Sequence, residues 1–391
     1  MVEVALAVLL LVGAGLFFRT LQGLSHVDKG FHAENVMSAR LSYPVSYRDR
    51  ERWLAFNREL LREADALPGV EHAALSLLIP LRGRSWERGA LPDNRPLARD
   101  NTESMLFGVV SPDWFATMGA PIIQGRGFTE ADNAEAQRVA VIDESMAKKF
   151  FPGENPIGRR VAFEWDMSDH DHPIPRWRTI IGVVRNVRHY TLTEPARIEG
   201  WIPMAQADQL WGVDQYLLLK TAGNPAALAE PIRRLVGDLD PLVPTYEVRP
   251  LQGYVADELQ SPRAMTSLFG AFASSALLLA AIGIFGVVSF VVASRRREIG
   301  IRVALGATRG QVLQWAARQG LVPAAIGLGF GFAGALAMGR IVRGLLFGVA
   351  PVDPASYAAV AVLLLATTAI AVWVPTRRAT RVEPMSVLRE E

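Results

Sequence analysis

The sequence predicts an α-helical membrane protein with four transmembrane helices and one large α+β domain outside the membrane. Half of its residues are hydrophobic and only 20% are charged. The apolar residues are concentrated in one run near the chain start and three runs after residue 264, most of them near the roughly 20 residues needed to cross a bilayer. Clusters of arginine follow the last three runs, as is typical of the cytoplasmic ends of membrane helices.

The predicted spans are residues 1–18, 264–293, 321–346 and 357–374. The second is the clearest, because Leu268–Ala293 contains no charged residue. The first is the weakest, because Val4–Phe18 is short for a span and a secretory signal peptide is the competing interpretation. No Lys or Arg precedes this run and no A-x-A-like cleavage site follows it, which favours a membrane helix.

Orientation follows from the arginines in the short connections. The loop 294–320 contains six arginines and the connection 347–356 contains none. We therefore expect the loop 294–320 and the tail 375–391 to be cytoplasmic, together with both termini, and residues 19–263 and 347–356 to be outside. Arg340 and Arg343 at the outer end of the third span weaken this contrast. The arginines that mark the cytoplasmic face are Arg295, Arg296, Arg297, Arg377, Arg378 and Arg381.

The region outside the membrane contains two strand–helix–strand patterns, in residues 35–80 and 213–250. The helix of the first pattern ends at Pro68-Gly69. Two such units predict a porter-like part with a ferredoxin-like α+β layer. Residues 81–212 between them contain short β runs separated by Pro and Gly turns, so we expect an inserted, mainly β subdomain.

Several function classes are disfavoured by the sequence. The net charge of +2 and the pI near 9.0 come largely from the loop and tail arginines, so they give no indication of nucleic-acid binding. The chain has no cysteine and no G-x-x-x-x-G-K-[ST] phosphate loop. The neighbouring side chains of Asp169–His172 point apart in a strand or loop. We therefore expect no catalytic residue, no metal site and no bound cofactor.

The segment after the second span carries the main candidate site. In Glu298–Ala307, apolar residues alternate with small or charged ones and lead to a glycine, and a second helical pattern follows. Positive charges that only fix the membrane topology would not require this pattern. The pattern therefore favours a surface helix that docks into a partner protein. Glu298 and Arg302 are spaced to form an ion pair. The candidate docking residues are Glu298, Ile299, Gly300, Ile301, Arg302, Leu305 and Gly306.

Small residues in the third span form a second candidate site. Gly327, Gly331 and Gly334 lie at spacings that permit close helix packing, either within the chain or across a dimer interface through Gly327-x-x-x-Gly331. The second, third and fourth spans contain no acidic or basic residue apart from the two arginines at the end of the third. A proton- or sodium-coupled transport mechanism is therefore disfavoured.

Three segments carry a resemblance to a known family: EIGIRVALGA at 298–307, PTRRATRVEPMSVL at 375–388, and FPGENPIG at 151–158. The chain resembles permeases of the FtsX and MacB superfamily of ATP-binding-cassette (ABC) systems, most closely one half of the doubled predicted permeases. The resemblance implies a MacB-like periplasmic core followed by an FtsX-like membrane domain in the inner membrane. It also implies a non-catalytic subunit, paired with a second permease half or a second copy, on a separate ABC ATPase that binds ATP and Mg²⁺.

By this resemblance the loop 294–320 would couple to the ATPase, and the chain would transmit ATP-driven motion to its periplasmic core for efflux or extraction of a substrate. A periplasmic adaptor and an outer-membrane factor are further expected partners. An FtsX-like regulator of a cell-wall hydrolase and an extracytoplasmic ligand sensor remain alternatives. Relatives have an amphipathic helix before the first span, and this chain begins almost inside its first span. The sequence therefore leaves open whether this chain is a fragment, a split gene product or a half-size subunit.

Overall fold

The structure is a computed structural model that describes residues 1–82, 86–97, 101–166, 174–207, 214–295, 298, 301, 308–350 and 352–379. The chain divides into two compact units. The helical unit contains Met1–His26 and the chain from Leu259 onward, and the α+β unit contains Val27–Glu258.

The α-helices are, in chain order, α1 (Val2–Ser25), α2 (Arg50–Asp65), α3 (Trp114–Met118), α4 (Glu144–Phe150), α5 (Ala229–Leu239), α6 (Gln252–Glu258), α7 (Gln260–Ser294), α8 (Arg309–Ile341) and α9 (Pro354–Ala379). The strands are β1 (Val36–Leu41), β2 (Val70–Ser76), β3 (Glu87–Pro92), β4 (Glu103–Val110), β5 (Ile122–Gly125), β6 (Val139–Asp143), β7 (Arg160–Asp166), β8 (Ile174–Val184), β9 (Glu199–Pro203), β10 (Gln215–Thr221) and β11 (Thr245–Pro250).

Four helices of the helical unit, α1, α7, α8 and α9, are long and apolar enough to cross a bilayer. The prediction of four transmembrane helices is thus confirmed. The helices extend beyond the apolar runs: α1 continues past Phe18 to Ser25, and α8 begins at Arg309, inside the predicted loop. The extra turn of α1 contains Thr20, which is buried, so packing as well as hydropathy determines where this helix ends.

The two predicted strand–helix–strand patterns form one antiparallel sheet with the order β11-β1-β10-β2, the strand order of a ferredoxin-like layer. The helices α2 and α5 connect these strands and pack on each other. The side chain of Asp49 accepts a hydrogen bond from the Arg52 N–H (2.8 Å) and caps the start of α2. The buried stripe of α2 includes Trp53, Phe56 and Leu60, as its periodicity predicts.

The inserted region between β2 and β10 is a closed ring of six strands. Its order is β4-β3-β7-β8-β6-β9, and a parallel pairing of β4 with β9 closes it. The remaining strand, β5, pairs with β8. Inside the ring, the fully buried Arg178 donates hydrogen bonds to Glu164 Oε2 (2.7 Å) and Gln206 Oε1 (3.1 Å). A buried guanidinium needs such partners, because an unpaired buried charge costs several kcal/mol.

Three more ionisable side chains, Asp143, Glu199 and His189, are buried where β6 and β9 meet. Ile142 pairs with Gly200, so Asp143 and Glu199 are next to each other across the two strands. The His189 Nδ1 atom lies 3.2 Å from Glu199 Oε1. Burial raises the pKa of the Asp143 carboxyl from 3.8 to about 8, although the N–H groups of Met146 and Glu199 bond to it and oppose the shift.

This raised pKa predicts a pH-dependent stability. Between about pH 4 and pH 8 the folded protein keeps a proton on Asp143 that the unfolded chain loses, so the free energy of unfolding falls as pH rises. The slope for one such proton is at most about 1.4 kcal/mol per pH unit. We expect the thermal midpoint of the full chain in detergent, followed by tryptophan fluorescence, to decrease from pH 5 to pH 8, and Asp143→Asn to reduce this decrease. Asparagine retains the capping oxygen for α4. Parallel pH profiles for the two proteins would contradict the assignment.

Candidate functional site: the helix interface and the arginine-rich loop

Helix α1 lies at the centre of the helical unit and packs against α7, α8 and α9. Its buried face includes Val4, Val8, Val12 and Leu16. On the side of α7, the rings of Phe17 and Phe269 have centroids 4.8 Å apart. Because lipid tails are as apolar as these side chains, shape complementarity and close approach must hold the helices together.

The three glycines predicted for close packing in α8 all face α1. A β-carbon placed on Gly327 would lie 2.7 Å from Val4 Cβ, and one on Gly331 would lie 2.5 Å from Val8 Cβ. For Gly334 the nearest atom is Leu9 Cδ1, at 3.2 Å. The face is therefore occupied by α1 of the same chain. Of the two alternatives for Gly327 and Gly331, these contacts favour packing within the chain over a dimer interface, because α1 already covers both glycines.

Two further contacts stabilise the C-terminal end of α1, which leads into the α+β unit. The Arg19 guanidinium pairs with the Asp353 carboxylate, and the Phe347 N–H donates to Thr20 Oγ1 (3.4 Å). Asp353 also accepts the N–H of Ser356 (2.8 Å) and so caps α9. The hydrogen bond from the Ser356 side chain and, to a smaller extent, the one from Arg19 lower the pKa of the Asp353 carboxyl. Sequence reasoning missed this ion pair, although the D-P-x-S pattern at 353–356 is a helix-start signal that could have indicated the cap.

The arginine-rich loop is described at a few positions. Arg295 follows the last turn of α7, with its guanidinium 3.6 Å from Glu298 and 5.7 Å from the ring centroid of Trp315. Ile301 is half exposed. Thr308 and Gln311 form a capping box at the start of α8, in which the Thr308 N–H donates to Gln311 Oε1 (2.9 Å) and the Gln311 N–H bonds to Thr308 Oγ1 (3.4 Å).

Many of the predicted loop and tail residues lie outside the described residues, so their predicted roles stay predictions. They are Arg296, Arg297, Ile299, Gly300, Arg302, Leu305, Gly306 and Arg381. For Arg378 the structure describes the helical backbone only. Glu298 pairs with Arg295, one turn back along the chain, and its pairing with Arg302, which lies outside the described residues, stays a prediction.

The possible metal ligands considered in the sequence, Asp169–His172, also lie outside the described residues. Among the residues that are described, no three His, Asp or Glu side chains stand close enough to hold a metal ion.

Four apolar helices joined to a large, β-rich unit define a polytopic membrane protein with a sizeable domain outside the bilayer. The profile of the MacB-like periplasmic core domain matches residues 4–235, and that of the FtsX-like permease C-terminal domain matches residues 270–384. The chain belongs to this MacB/FtsX family of ABC transporter permeases. The resemblance inferred from the three sequence motifs is thereby confirmed.

Similar proteins include YknZ of Bacillus subtilis (strain 168), an ABC transporter permease that is 28% identical over 228 residues, covering 56% of this chain and 54% of YknZ. The pyoverdine export ATP-binding/permease protein PvdT of Pseudomonas syringae pv. syringae (strain B728a) is 28% identical over 279 residues, covering 69% of this chain and 40% of PvdT. The chain thus spans about half the length of these relatives, or less. The crystal structure of the periplasmic region of MacB from Actinobacillus actinomycetemcomitans aligns with 60% of this chain and 97% of that region, with 17% identity and a TM-score of 0.41.

The contact between α8 and α1 gives a prediction with a matched control. Gly331→Leu should separate the two helices, because its side chain would overlap Val8. Gly329→Leu places the same side chain two residues away, where a β-carbon meets nothing within 4 Å. We expect Gly331→Leu to lower the thermal midpoint of the detergent-solubilised chain by several degrees and Gly329→Leu to leave it nearly unchanged. Equal midpoints for the two variants would contradict the packing assignment.

Proposed function

We propose that this chain is a non-catalytic permease subunit that transmits motion from an ABC ATPase to its α+β unit, for efflux or extraction of a substrate. One structural observation carries the proposal. The α+β unit is attached at one end to α1 and at the other to α7, and these two helices pack against each other. Any change in the packing of α1 against α7 therefore moves both attachment points of the α+β unit.

Helix α7 is suited to carry such motion. It has 35 residues, which gives a length of about 52 Å, well above the roughly 30 Å thickness of the hydrocarbon core. The sequence from Arg263 to Ser294 contains no proline, so its backbone hydrogen bonds are uninterrupted by the usual cause of helix kinks. A continuous helix of this length leads from the α+β unit to the arginine-rich loop and would transmit motion along its axis.

The energy source in this proposal is a separate ATPase subunit with its own ATP and Mg²⁺. PvdT and MacB relatives are named as combined ATP-binding and permease proteins, and this sequence has no phosphate loop of the G-x-x-x-x-G-K-[ST] type. The loop 294–320 would dock on the ATPase through its apolar residues. A second copy or a second permease half would complete the working unit, with a periplasmic adaptor and an outer-membrane factor as further partners.

The proposed orientation places both termini and the arginine-rich loop in the cytoplasm of an inner-membrane protein, because six arginines occupy that loop. The chain has no cysteine, so a single introduced cysteine is the only thiol that a maleimide can label. We expect Asn101→Cys to react with a membrane-impermeant maleimide in spheroplasts, and Thr308→Cys to react only after the membrane is permeabilised. Labelling of Thr308→Cys in intact spheroplasts would refute this topology.

The docking role of the loop is tested at a described residue. Ile301 is half exposed, and Ile301→Asp would place an unpaired carboxylate in an apolar contact, at a cost of roughly 2–4 kcal/mol. This predicts an approximately 30-fold or greater loss of association with the cognate ATPase, measured by co-purification and by stimulated ATP turnover in proteoliposomes.

The control variant is Thr308→Asp, which adds the same charge to the same loop. Aspartate is a good helix cap, so the start of α8 should be preserved and ATPase association should stay within about two-fold of wild type. If Ile301→Asp associates as well as Thr308→Asp, the loop serves as a topology signal and does not dock.

A further inference from the structure

An apolar groove lies between α8 and α9, near the ends of these helices that border the arginine-rich loop. Its volume is about 370 Å³. The lining side chains are Ala317, Leu321, Ala369, Ile370, Val372 and Trp373. All six are apolar and belong to the parts of α8 and α9 that are apolar enough to cross a bilayer, Ala317–Ile341 and Pro354–Pro375. The groove is thus a dent in the surface of the helix bundle within the hydrocarbon layer.

The groove exists because small and large residues alternate along its walls. A β-carbon on Gly320 would lie 2.5 Å from Val372 Cγ2, so α8 and α9 meet closely at this point and close the floor. Next to this contact, Ala317 and Ala369 leave space between the helices, and the half-exposed ring of Trp373 forms one rim. Within a membrane, an open apolar groove of this kind is occupied by a lipid acyl chain or by the side of another apolar helix.

The mouth of the groove is positively charged. Arg377 lies one helical turn beyond Trp373, and its guanidinium carbon is 5.0 Å from the centroid of the tryptophan ring, which is a cation–π distance. Guanidinium groups beside a membrane surface attract anionic lipid head groups, by about 1 kcal/mol each.

The charge at the mouth of the groove discriminates between occupants. An apolar transmembrane helix of a second copy would set an apolar surface against the Arg377 guanidinium, which lies over the Trp373 ring at the rim. An extended acyl chain is thinner, and a phosphate joined to it reaches the charged mouth.

We propose that this groove binds one anionic phospholipid of the leaflet that borders the arginine-rich loop. One acyl chain lies along Ala369 and Leu321 beside Trp373, and the phosphate lies next to Arg377. A lipid in this position contacts both α8 and α9 at the ends that flank the loop, and so links the bilayer to the part of the chain that responds to the ATPase. The binding itself depends only on the helical unit, so it is testable whether or not an ATPase binds.

The test uses the full chain purified in a mild detergent, with phosphatidylglycerol and phosphatidylcholine of identical acyl chains as probes and native mass spectrometry as the measurement. Wild type should retain phosphatidylglycerol in preference to phosphatidylcholine. Ala369→Trp and Leu321→Trp fill the groove from its two walls, and each should abolish the retained lipid of either head group. Arg377→Gln should lower retention of phosphatidylglycerol about five-fold and leave that of phosphatidylcholine unchanged.

Two control variants carry the same substitutions at the other end of α8. Ala337→Trp and Arg343→Gln are at exposed positions away from the groove and should retain lipid as wild type does. Full retention by both groove-filling variants, with thermal midpoints like that of wild type, would overturn the site. Loss of dimerisation in Ala369→Trp, without loss of lipid, would assign the groove to a second copy and would equally overturn it. An unchanged head-group preference in Arg377→Gln would refute the anionic part of the proposal.

Discussion

The close approach of α1 to α8 is the constraint on which the helical unit depends. Within a bilayer, apolar side chains gain nothing by leaving lipid for protein, so helices associate where their surfaces fit closely. Gly327 and Gly331 allow the backbone of α8 to approach Val4 and Val8 so nearly that no side chain could be inserted. Once α1 is fixed in this way, its other faces are available to α7 and α9, and the ion pair of Arg19 with Asp353 secures its far end.

The order of elements along the chain adds a second constraint. The whole α+β unit is an insertion between α1 and α7, and the ring of six strands is in turn an insertion between β2 and β10. Each insertion begins and ends on neighbouring elements, so the host fold can close around it. A movement of α1 against α7 thus reaches the α+β unit through both of its chain connections, as the proposed transmission of motion requires.

Much of this architecture could be predicted from the sequence, because its signals are local. Uncharged runs of membrane-spanning length identify the helices, and alternating patterns identify β1, α2 and β2 as well as β10, α5 and β11. The ring closure by β4 and β9 could not be predicted, because parallel pairing of distant strands leaves no local pattern. Nor could the partner of the α8 glycines, since small residues mark a close contact without saying which helix makes it.

The candidate site, too, could be predicted from the sequence only in part. The arginine-rich loop is evident from charge and periodicity. The Arg19–Asp353 pair joins residues at opposite ends of the sequence, and each of them alone resembles an ordinary interfacial charge. Arg178 would be assigned to the surface by composition, yet it is fully buried, and Glu164 and Gln206 accept hydrogen bonds from its terminal nitrogens.

The position of β10 has a consequence for the way this protein is made. In the described sheet, β1 and β2 both pair with β10 and not with each other. During synthesis β1 therefore has no strand to pair with until β10 has emerged, after the entire ring has been translated, whereas β2 can already pair with β4 of the ring. The ring has all its own strands by then and is able to close first. The nascent chain would thus assemble its nested insertions from the inside outward, and the ferredoxin-like layer would complete its sheet last.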